Sequence, residues 1–451
     1  MRSRAWYFHR GGYKVTLTPR PPWAALPKPI AGIPYDRKSA NRLLGDVPDA
    51  LKHHAQTSEM VTFLEKKCLE LGSPIAQVFM RPFSRPWVVL IDGRESQDIM
   101  ARRGREFDRS EFFGDLLVSL FPMNQVSMRT NDQWRHNRRL MADAMSPRFL
   151  NNIAAKEIHQ NTLDLIDLWR QKIRVANGHV IDVGQDIKYC TVDTIWATAF
   201  GTAVDACKSQ CEYLSTLPAM SPALKSPDTV TNIPVHGLSK VYSALETISI
   251  SSEIPMNSAF GRWHHWLAIK LYPSIRHAVA LRDQLIEARL RQAWKTFGEA
   301  VVDPSKREAE IRCVVDLVVE RESAMAHKQG KEPDKYSQVL KDELGGFLNA
   351  GFETTSSSVN WGLKYLTKHQ DVQQKLRQSL RQAFSRSSTE GQQPAAKEIA
   401  ESNVPYLDAF MEEVLRHSSI ISTNIRVATT DAPVLGRIVP KGTRIHNLSA
   451  S

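Results

Sequence analysis

The residues best placed to do chemistry in this chain lie together at Ala350-Gly351-Phe352-Glu353-Thr354-Thr355, inside a long apolar stretch that runs from Val339 to Leu366. A carboxylate at Glu353 beside a hydroxyl at Thr354 can relay protons into an apolar pocket. Gly345, Gly346, Gly351 and Gly362 fall in or beside the same predicted helix, and each interior glycine costs about 1 kcal/mol relative to alanine. A helix that carries them must gain something in return, such as close approach by another group. Thr354, Thr355, Ser356, Ser357 and Ser358 add hydroxyls that can bond to carbonyls of the preceding turn and bend the helix. The competing reading is structural: a seam of small residues where a second helix crosses closely.

Two further constellations carry chemistry. Trp134-x-x-x-Arg138, with Arg135 and Arg139 alongside, sets an indole and a guanidinium one helical turn apart. Both can meet an anionic planar ligand, the indole N–H through one hydrogen bond and the guanidinium through two. A cation–π pair on a basic surface helix is the plainer account. Glu413-x-x-Arg416 places an acid and a base on one helix face, where they can pair. Its flanks Tyr406, Leu407, Phe410, Met411, Val414 and Leu415 are apolar, which predicts partial burial and a need for further hydrogen bonds to offset desolvation. The alternative is an ordinary surface salt bridge.

The elements that must position these groups are mostly helical. The pattern turns helical from about residue 132, with apolar faces at Ile153–Leu168, Ile187–Phe200, Leu281–Phe297, Ile311–Val319 and Val339–Leu366, then at Val372–Phe384 and Pro405–His417. Gln77–Ile91 reads as strand, with Pro82 and Pro86 limiting it to edge-type pairing. Residues 218–260, with several prolines and many Ser and Thr, read as long surface connections, and Ser385–Gln393 as a polar loop. Ile425–Arg444 reads as short strands around turns at Gly436 and Pro440-Lys441-Gly442. The expected fold is mainly α with small β-sheets.

Taken in order, Asp132-Gln133-Trp134-Arg135-His136-Asn137-Arg138-Arg139-Leu140, then Ala350–Thr355, then Pro405-Tyr406-Leu407 running into Glu413-x-x-Arg416, resemble the cytochrome P450 family of haem-thiolate monooxygenases. Arg426, Pro440-Lys441-Gly442-Thr443 and the helix ending in Phe200-Gly201 match the same family, over about residues 30–445. Prolines and Ile33-Pro34-Tyr35 near the start look like those of fungal members. The resemblance implies a cytochrome P450-like fold, incomplete at the C-terminus: a basic, proline-rich lead-in over residues 1–50 and a single domain over residues 51–451 that lacks its haem-loop segment.

It also implies roles. Trp134, Arg138 and Arg426 hold the haem propionates, and Ala350 and Gly351 open the helix where dioxygen sits. Thr354, with Glu353 as acid partner, delivers protons during oxygen activation. Glu413 and Arg416 form a structural ion pair near the haem. Phe112–Phe121 and Ile420–Asn424 match regions that line the substrate pocket. The implied reaction is hydroxylation of a small apolar substrate with electrons from NADPH-cytochrome P450 reductase, at the endoplasmic reticulum membrane. Two departures stand against the pattern. Asn137 occupies a position where the family often has histidine, with His136 shifted by one. The family's Phe-x-x-Gly-x-x-x-Cys-x-Gly loop surrounds none of Cys68, Cys190, Cys207, Cys211 or Cys313. The expectation is therefore that the axial cysteine is absent and that no residue here ligates a metal; whether the family's N-terminal membrane anchor was lost stays open, and the chain as written reads as soluble and cytoplasmic. The push of a thiolate on iron favours O–O cleavage, so the exact polypeptide is expected to be inactive in monooxygenation. A non-catalytic P450-like protein or a truncated gene product is the rival reading.

Composition narrows the rest. The 451 residues are 42% hydrophobic and 24% charged, with 59 Lys and Arg against 48 Asp and Glu, a net charge of +11. That balance suits an acidic electron donor or an anionic membrane surface. No recognisable nucleic-acid reader module is present, and no nucleic-acid partner is expected. No run approaches the roughly 20 apolar residues of a membrane-spanning helix. Few, scattered cysteines in odd number predict buried free thiols rather than a disulfide framework. No dinucleotide, Walker, nucleophile-elbow or His-Glu-x-x-His motif occurs.

Overall fold

The computed structural model describes residues 28–80, 84–221, 230–255, 261–297, 310–389 and 391–448. Most of the basic arm, residues 1–27, lies outside them. The described chain divides into two compact units: residues up to Ser110 together with those from Ile421 onward, and Glu111–Ile420.

The first unit is built on a sheet. Helices α1 (Val47–Thr57), α2 (Val61–Glu70) and α3 (Gly93–Ala101) accompany strands β1 (Ile75–Val78), β2 (Trp87–Leu90), β3 (Phe107–Arg109), β4 (Thr423–Ala428), β5 (Ala432–Val434), β6 (Arg437–Val439) and β7 (Arg444–Leu448). The five-stranded sheet runs β1-β2-β7-β4-β3, with β2 parallel to β7 and the other pairs antiparallel. Alternation along the strands feeds two cores. Ile75, Val88, Leu90 and Ile445 face one, while Ala76, Val78, Val89 and Leu448 face the other with Phe63, Leu64 and Cys68 of α2. Because both faces are covered, β2 is a continuous apolar run. It lies inside the sheet rather than at the edge expected for Gln77–Ile91. Pro86 precedes the first paired residue, Trp87, so no ladder hydrogen bond is lost. The β5–β6 hairpin turns at Leu435 and Gly436, both with positive φ, as a two-residue hairpin requires.

The second unit is helical: α4 (Asp132–Met141), α5 (Ala155–Ala176), α6 (Gly184–Phe200), α7 (Ala206–Ser215), α8 (Lys240–Ser251), α9 (Arg262–Leu271), α10 (Pro273–Phe297), α11 (Val314–Lys328), α12 (Gln338–Lys368), α13 (Gln370–Ala383) and α14 (Pro405–Ser418). Two-residue strands Val180–Ile181 and Val230–Thr231 pair beside them. The 31-residue α12 starts at a Ser337 cap, whose hydroxyl accepts from Leu340 N, and threads the core. Leu344, Leu348 and Phe352 pack there with Val192 and Trp196 of α6, Leu290 of α10 and Val318 of α11.

Two sequence expectations fail here. Residues 218–260 contain α8, because Tyr242, Leu245 and Ile248 recur at helical spacing on a buried face while the Ser and Thr residues between them obscure the period. The predicted loop at Ser385–Gln393 holds a short helix, Ser385–Thr389. All five cysteines are free thiols, four of them buried.

Candidate active site

Helix α12 carries two kinds of surface at its centre. Ala350 and Thr354 are exposed and lie one turn apart on one face. Thr354 Oγ1 donates to the Ala350 carbonyl at 2.8 Å, and Ser358 Oγ repeats the pattern to the Thr354 carbonyl. This back-bonding fixes the Thr354 hydroxyl against the helix. Gly351, one position on, faces α6 instead. A Cβ built there would sit 2.5 Å from Ile195 Cδ1 and 2.6 Å from its Cγ1. Gly345 is approached in the same way by the Phe121 ring. The glycines of α12 therefore permit close approach by neighbouring side chains, and at Gly351 that neighbour is another helix.

Glu353 turns towards α6 and α8. Its Oε1 accepts from Ser249 Oγ at 2.5 Å and pairs with Lys188 Nζ at 3.1 Å. The carboxylate is thus fastened by two helices one residue away from the Thr354 hydroxyl.

Helix α4 begins at Asn131, whose side chain accepts from Trp134 N at 2.7 Å, and Asp132 at its start and Arg138 and Arg139 at its end complement the helix dipole. The Arg138 guanidinium lies 5.7 Å from the Trp134 ring centroid, and no described carboxylate pairs with it. Between them Asn137 is fully buried. Its Nδ2 donates to Glu343 Oε1 at 2.9 Å and to the Met123 carbonyl, while its Oδ1 accepts from Gln133 Nε2. Glu343 also takes Gln125 N at 2.6 Å and Gln125 Nε2 at 2.8 Å. Burial pushes the Glu343 carboxyl above its ordinary value, against the lowering effect of those hydrogen bonds. Neighbouring Asp342 is raised by burial too, while accepting from Met123 N and Gln338 Nε2. Glu343 and Gln125 were not singled out in the sequence. The signal for them was a pair of acids inside an apolar helix facing a polar residue, Asn137, at a departure from the family pattern.

Arg426 stands on β4 in the other unit, half-buried, with burial drawing its pKa down and Asp108 opposing that. Glu413 and Arg416 form a bidentate pair at 2.8 and 2.7 Å on the exposed side of α14, with His417 at 3.0 Å from the same carboxylate. Arg416 lowers the Glu413 carboxyl to about 2. Both side chains are about half exposed, 57% for Glu413 and 51% for Arg416, and exposed pairs contribute little. Replacing Glu413 with Gln is expected to lower the thermal midpoint of this chain by no more than about 2 °C. A several-fold larger drop in a thermal melt would show the pair locking a core.

The sequence profile of the cytochrome P450 family matches residues 50–450. The chain belongs to the cytochrome P450 family. It is 39% identical to a cytochrome P450 monooxygenase of Pestalotiopsis microspora over 94% of this chain and 74% of that one. A P450 monooxygenase of Fusarium sporotrichioides is 30% identical over 93% of this chain and 72% of its own length. One of Penicillium rubens is 32% identical over 93% and 71%. The crystal structure of the cytochrome P450DA heme domain aligns with a TM-score of 0.65 at 15% identity, covering 93% of this chain and 77% of that one. This P450 is therefore by family an oxidoreductase of the monooxygenase class, its relatives are fungal, and the cofactor implied is haem. No described helix is long and apolar enough to cross a membrane.

The residues present fit that group. Ala350 and Thr354 are small, exposed and one turn apart on α12, so a flat ring could lie against them. In the helical unit Arg138, stacked on the Trp134 indole and without a described carboxylate, is a guanidinium of the kind a propionate would take, and in the sheet unit half-buried Arg426 is another.

Proposed function

We propose that this P450 hydroxylates a small apolar substrate with electrons from NADPH-cytochrome P450 reductase, at the endoplasmic reticulum membrane. In this reading Trp134, Arg138 and Arg426 hold the haem propionates. Bound haem supplies the activation of dioxygen. The observation that carries the proposal is the Thr354 hydroxyl, pinned to the Ala350 carbonyl on the open face of α12 beside a tethered Glu353. A hydroxyl that donates to a carbonyl keeps its lone pairs free to accept a hydrogen bond from a water, and so holds in place a water that can give its other proton to a reacting oxygen. Glu353, released from Ser249 and Lys188 by rotation of its side chain, takes a proton from solvent water and passes it to the water that Thr354 holds.

The proposal includes a limit. None of the five thiols is set in a haem loop, and four are buried; burial pushes Cys68 up to about 12 and Cys313 up to about 11, while a hydrogen bond with Cys207 draws Cys190 down. A thiolate ligand is the deprotonated form held in a loop that faces the iron, and no thiol of residues 1–451 stands in the family's loop pattern. Supplied with haem, reduced and exposed to carbon monoxide, the 451-residue polypeptide is expected to give no thiolate-type spectrum. The same chain joined to a segment with the family's Phe-x-x-Gly-x-x-x-Cys-x-Gly pattern is expected to give one, and then to oxidise apolar compounds at the expense of NADPH. A thiolate-type spectrum from residues 1–451 alone overturns the limit, and a spectrally normal chimaera that oxidises none of a broad apolar panel overturns the monooxygenase assignment.

A further inference from the structure

We propose that Cys190 and Cys207 form a redox-modification site, where a peroxide joins the two thiols in a reversible disulfide that locks α6 to α7. The contact begins at a helix cap. Asp193 of α6 accepts from Ala206 N at 2.8 Å through Oδ1 and from Cys207 N at 2.9 Å through Oδ2. Both residues open α7, where backbone N–H groups have no partner within the helix. Cys190 lies one turn before Asp193, so α7 starts against the face of α6 that bears Cys190. From there Cys207 Sγ comes to 3.9 Å from the carbonyl oxygen of Asp186, one turn before Cys190. Side chains on a helix lean towards its N-terminus, which aims the Cys190 thiol at that same turn. There Cys207 donates to Cys190 Sγ, which itself donates to the Asn161 carbonyl of α5 at 3.4 Å.

The surroundings give the two sulfurs different parts. Cys190 is the more open of the pair, 8% exposed against 0% for Cys207. The hydrogen bond from Cys207 draws the Cys190 thiol below its ordinary value against the effect of burial, while that contact and burial push Cys207 up. A thiolate is the nucleophile, so Cys190 attacks one oxygen of hydrogen peroxide. The O–O bond breaks, an S–O bond forms, and the other oxygen leaves as water with the proton that Cys190 gave up. Cys207 then attacks the sulfenic sulfur of Cys190. The S–S bond forms, the S–O bond breaks, and the hydroxyl leaves as a second water with the Cys207 proton. Each sulfur has given up one electron, and one peroxide has become two waters. The bond closes the turn between α6 and α7 and so restricts the unfolded chain. Helix α6 also presents Ile195 to Gly351 and Lys188 to Glu353, so oxidation stiffens the helix against which the centre of α12 packs.

The test needs neither haem nor turnover. The reduced 451-residue chain is exposed to hydrogen peroxide, unfolded in iodoacetamide and digested with trypsin without reduction. Cleavage after Lys188 and Lys208 isolates Cys190 and Cys207 in one peptide, Tyr189–Lys208, and leaves Cys211 in the next. Mass spectrometry is expected to find Tyr189–Lys208 unalkylated and lighter than its dithiol by two hydrogens. After dithiothreitol the same peptide should take up two alkyl groups. The thermal midpoint of the oxidised chain is expected to rise by about 3 °C and to fall back on reduction. In Cys207→Ala, Cys190 is expected to stop at the sulfenic acid and to be labelled by dimedone, while the wild-type mapping stands whether or not that variant folds. A Tyr189–Lys208 peptide that carries two alkyl groups after peroxide overturns the proposal, as does one joined to the peptide of Cys211. A midpoint that the internal disulfide leaves unchanged overturns the lock between α6 and α7.

Discussion

Replacing Glu343 with alanine is expected to destabilise the chain by at least about 3 kcal/mol, measured by denaturant unfolding. The side chain is 1% exposed and receives Gln125 N, Gln125 Nε2 and Asn137 Nδ2. Truncation leaves those donors without an acceptor, at about 1–3 kcal/mol each for a fully buried group, and opens a cavity besides. Glu343→Gln is expected to cost under about 1.5 kcal/mol, since one amide oxygen keeps two of the donors and the Gln125 amide turns to suit the other. The sign of the pH dependence separates the wild-type chain from both variants, neither of which carries the titrating group. Burial raises the folded-state pKa of Glu343 above its unfolded value, so its contribution is fully present below the ordinary Glu range and is lost as pH rises through the folded value. Glu343→Gln should therefore remove part of the decline in stability on the alkaline side. A variant that is as stable as wild type when Glu343 is alanine, at every pH, would mean that the network does not hold α4 to α12.

That network matters beyond stability. Asn137 sits between Trp134 and Arg138 on α4, so the Glu343 clamp also sets the rotation of the helix that presents them. Loosening it is expected to blur the geometry of both side chains without touching either.

The pairs Trp134 with Arg138 and Glu413 with Arg416 were legible in the sequence, because each occurs at a spacing that a helix converts into a face, whereas adjacent Glu353 and Thr354 point to different faces. The long helix around them was legible for the same reason, as α12 spans Gln338–Lys368 against an expected Val339–Leu366. What holds those residues was not. Lys188 and Ser249 meet Glu353 from helices far away in sequence, and a single lysine or serine on a helix carries no sign of its partner. Helix α8 was missed because its buried stripe is interleaved with Ser and Thr, which in sequence favour caps and turns. The interior placement of β2 depended on the parallel pairing of Val88 with Ile445, a contact that local pattern does not encode.

Gly351 was read two ways, as an opening in the helix and as a seam, and substitution there measures the seam. Gly351→Val is expected to cost about 3 kcal/mol or more, since its Cβ alone would lie 2.5 Å from Ile195 Cδ1 and the added methyls need room that the crossing of α6 and α12 does not have. The clash involves Ile195 Cγ1 at 2.6 Å as well as the terminal methyl, so rotating the end of the side chain does not relieve it. Ile195→Ala removes the obstruction at a cost of about 2 kcal/mol for a partly buried isoleucine. If the glycine exists to admit Ile195, the two changes compensate. The double variant should then be more stable than the sum of the single variants predicts by about 1–3 kcal/mol, the coupling of residues in direct contact. Additive behaviour in urea unfolding would instead place the strain of Gly351→Val elsewhere along α12. It would return Gly351 to the role of an opening on the face shared with Ala350 and Thr354.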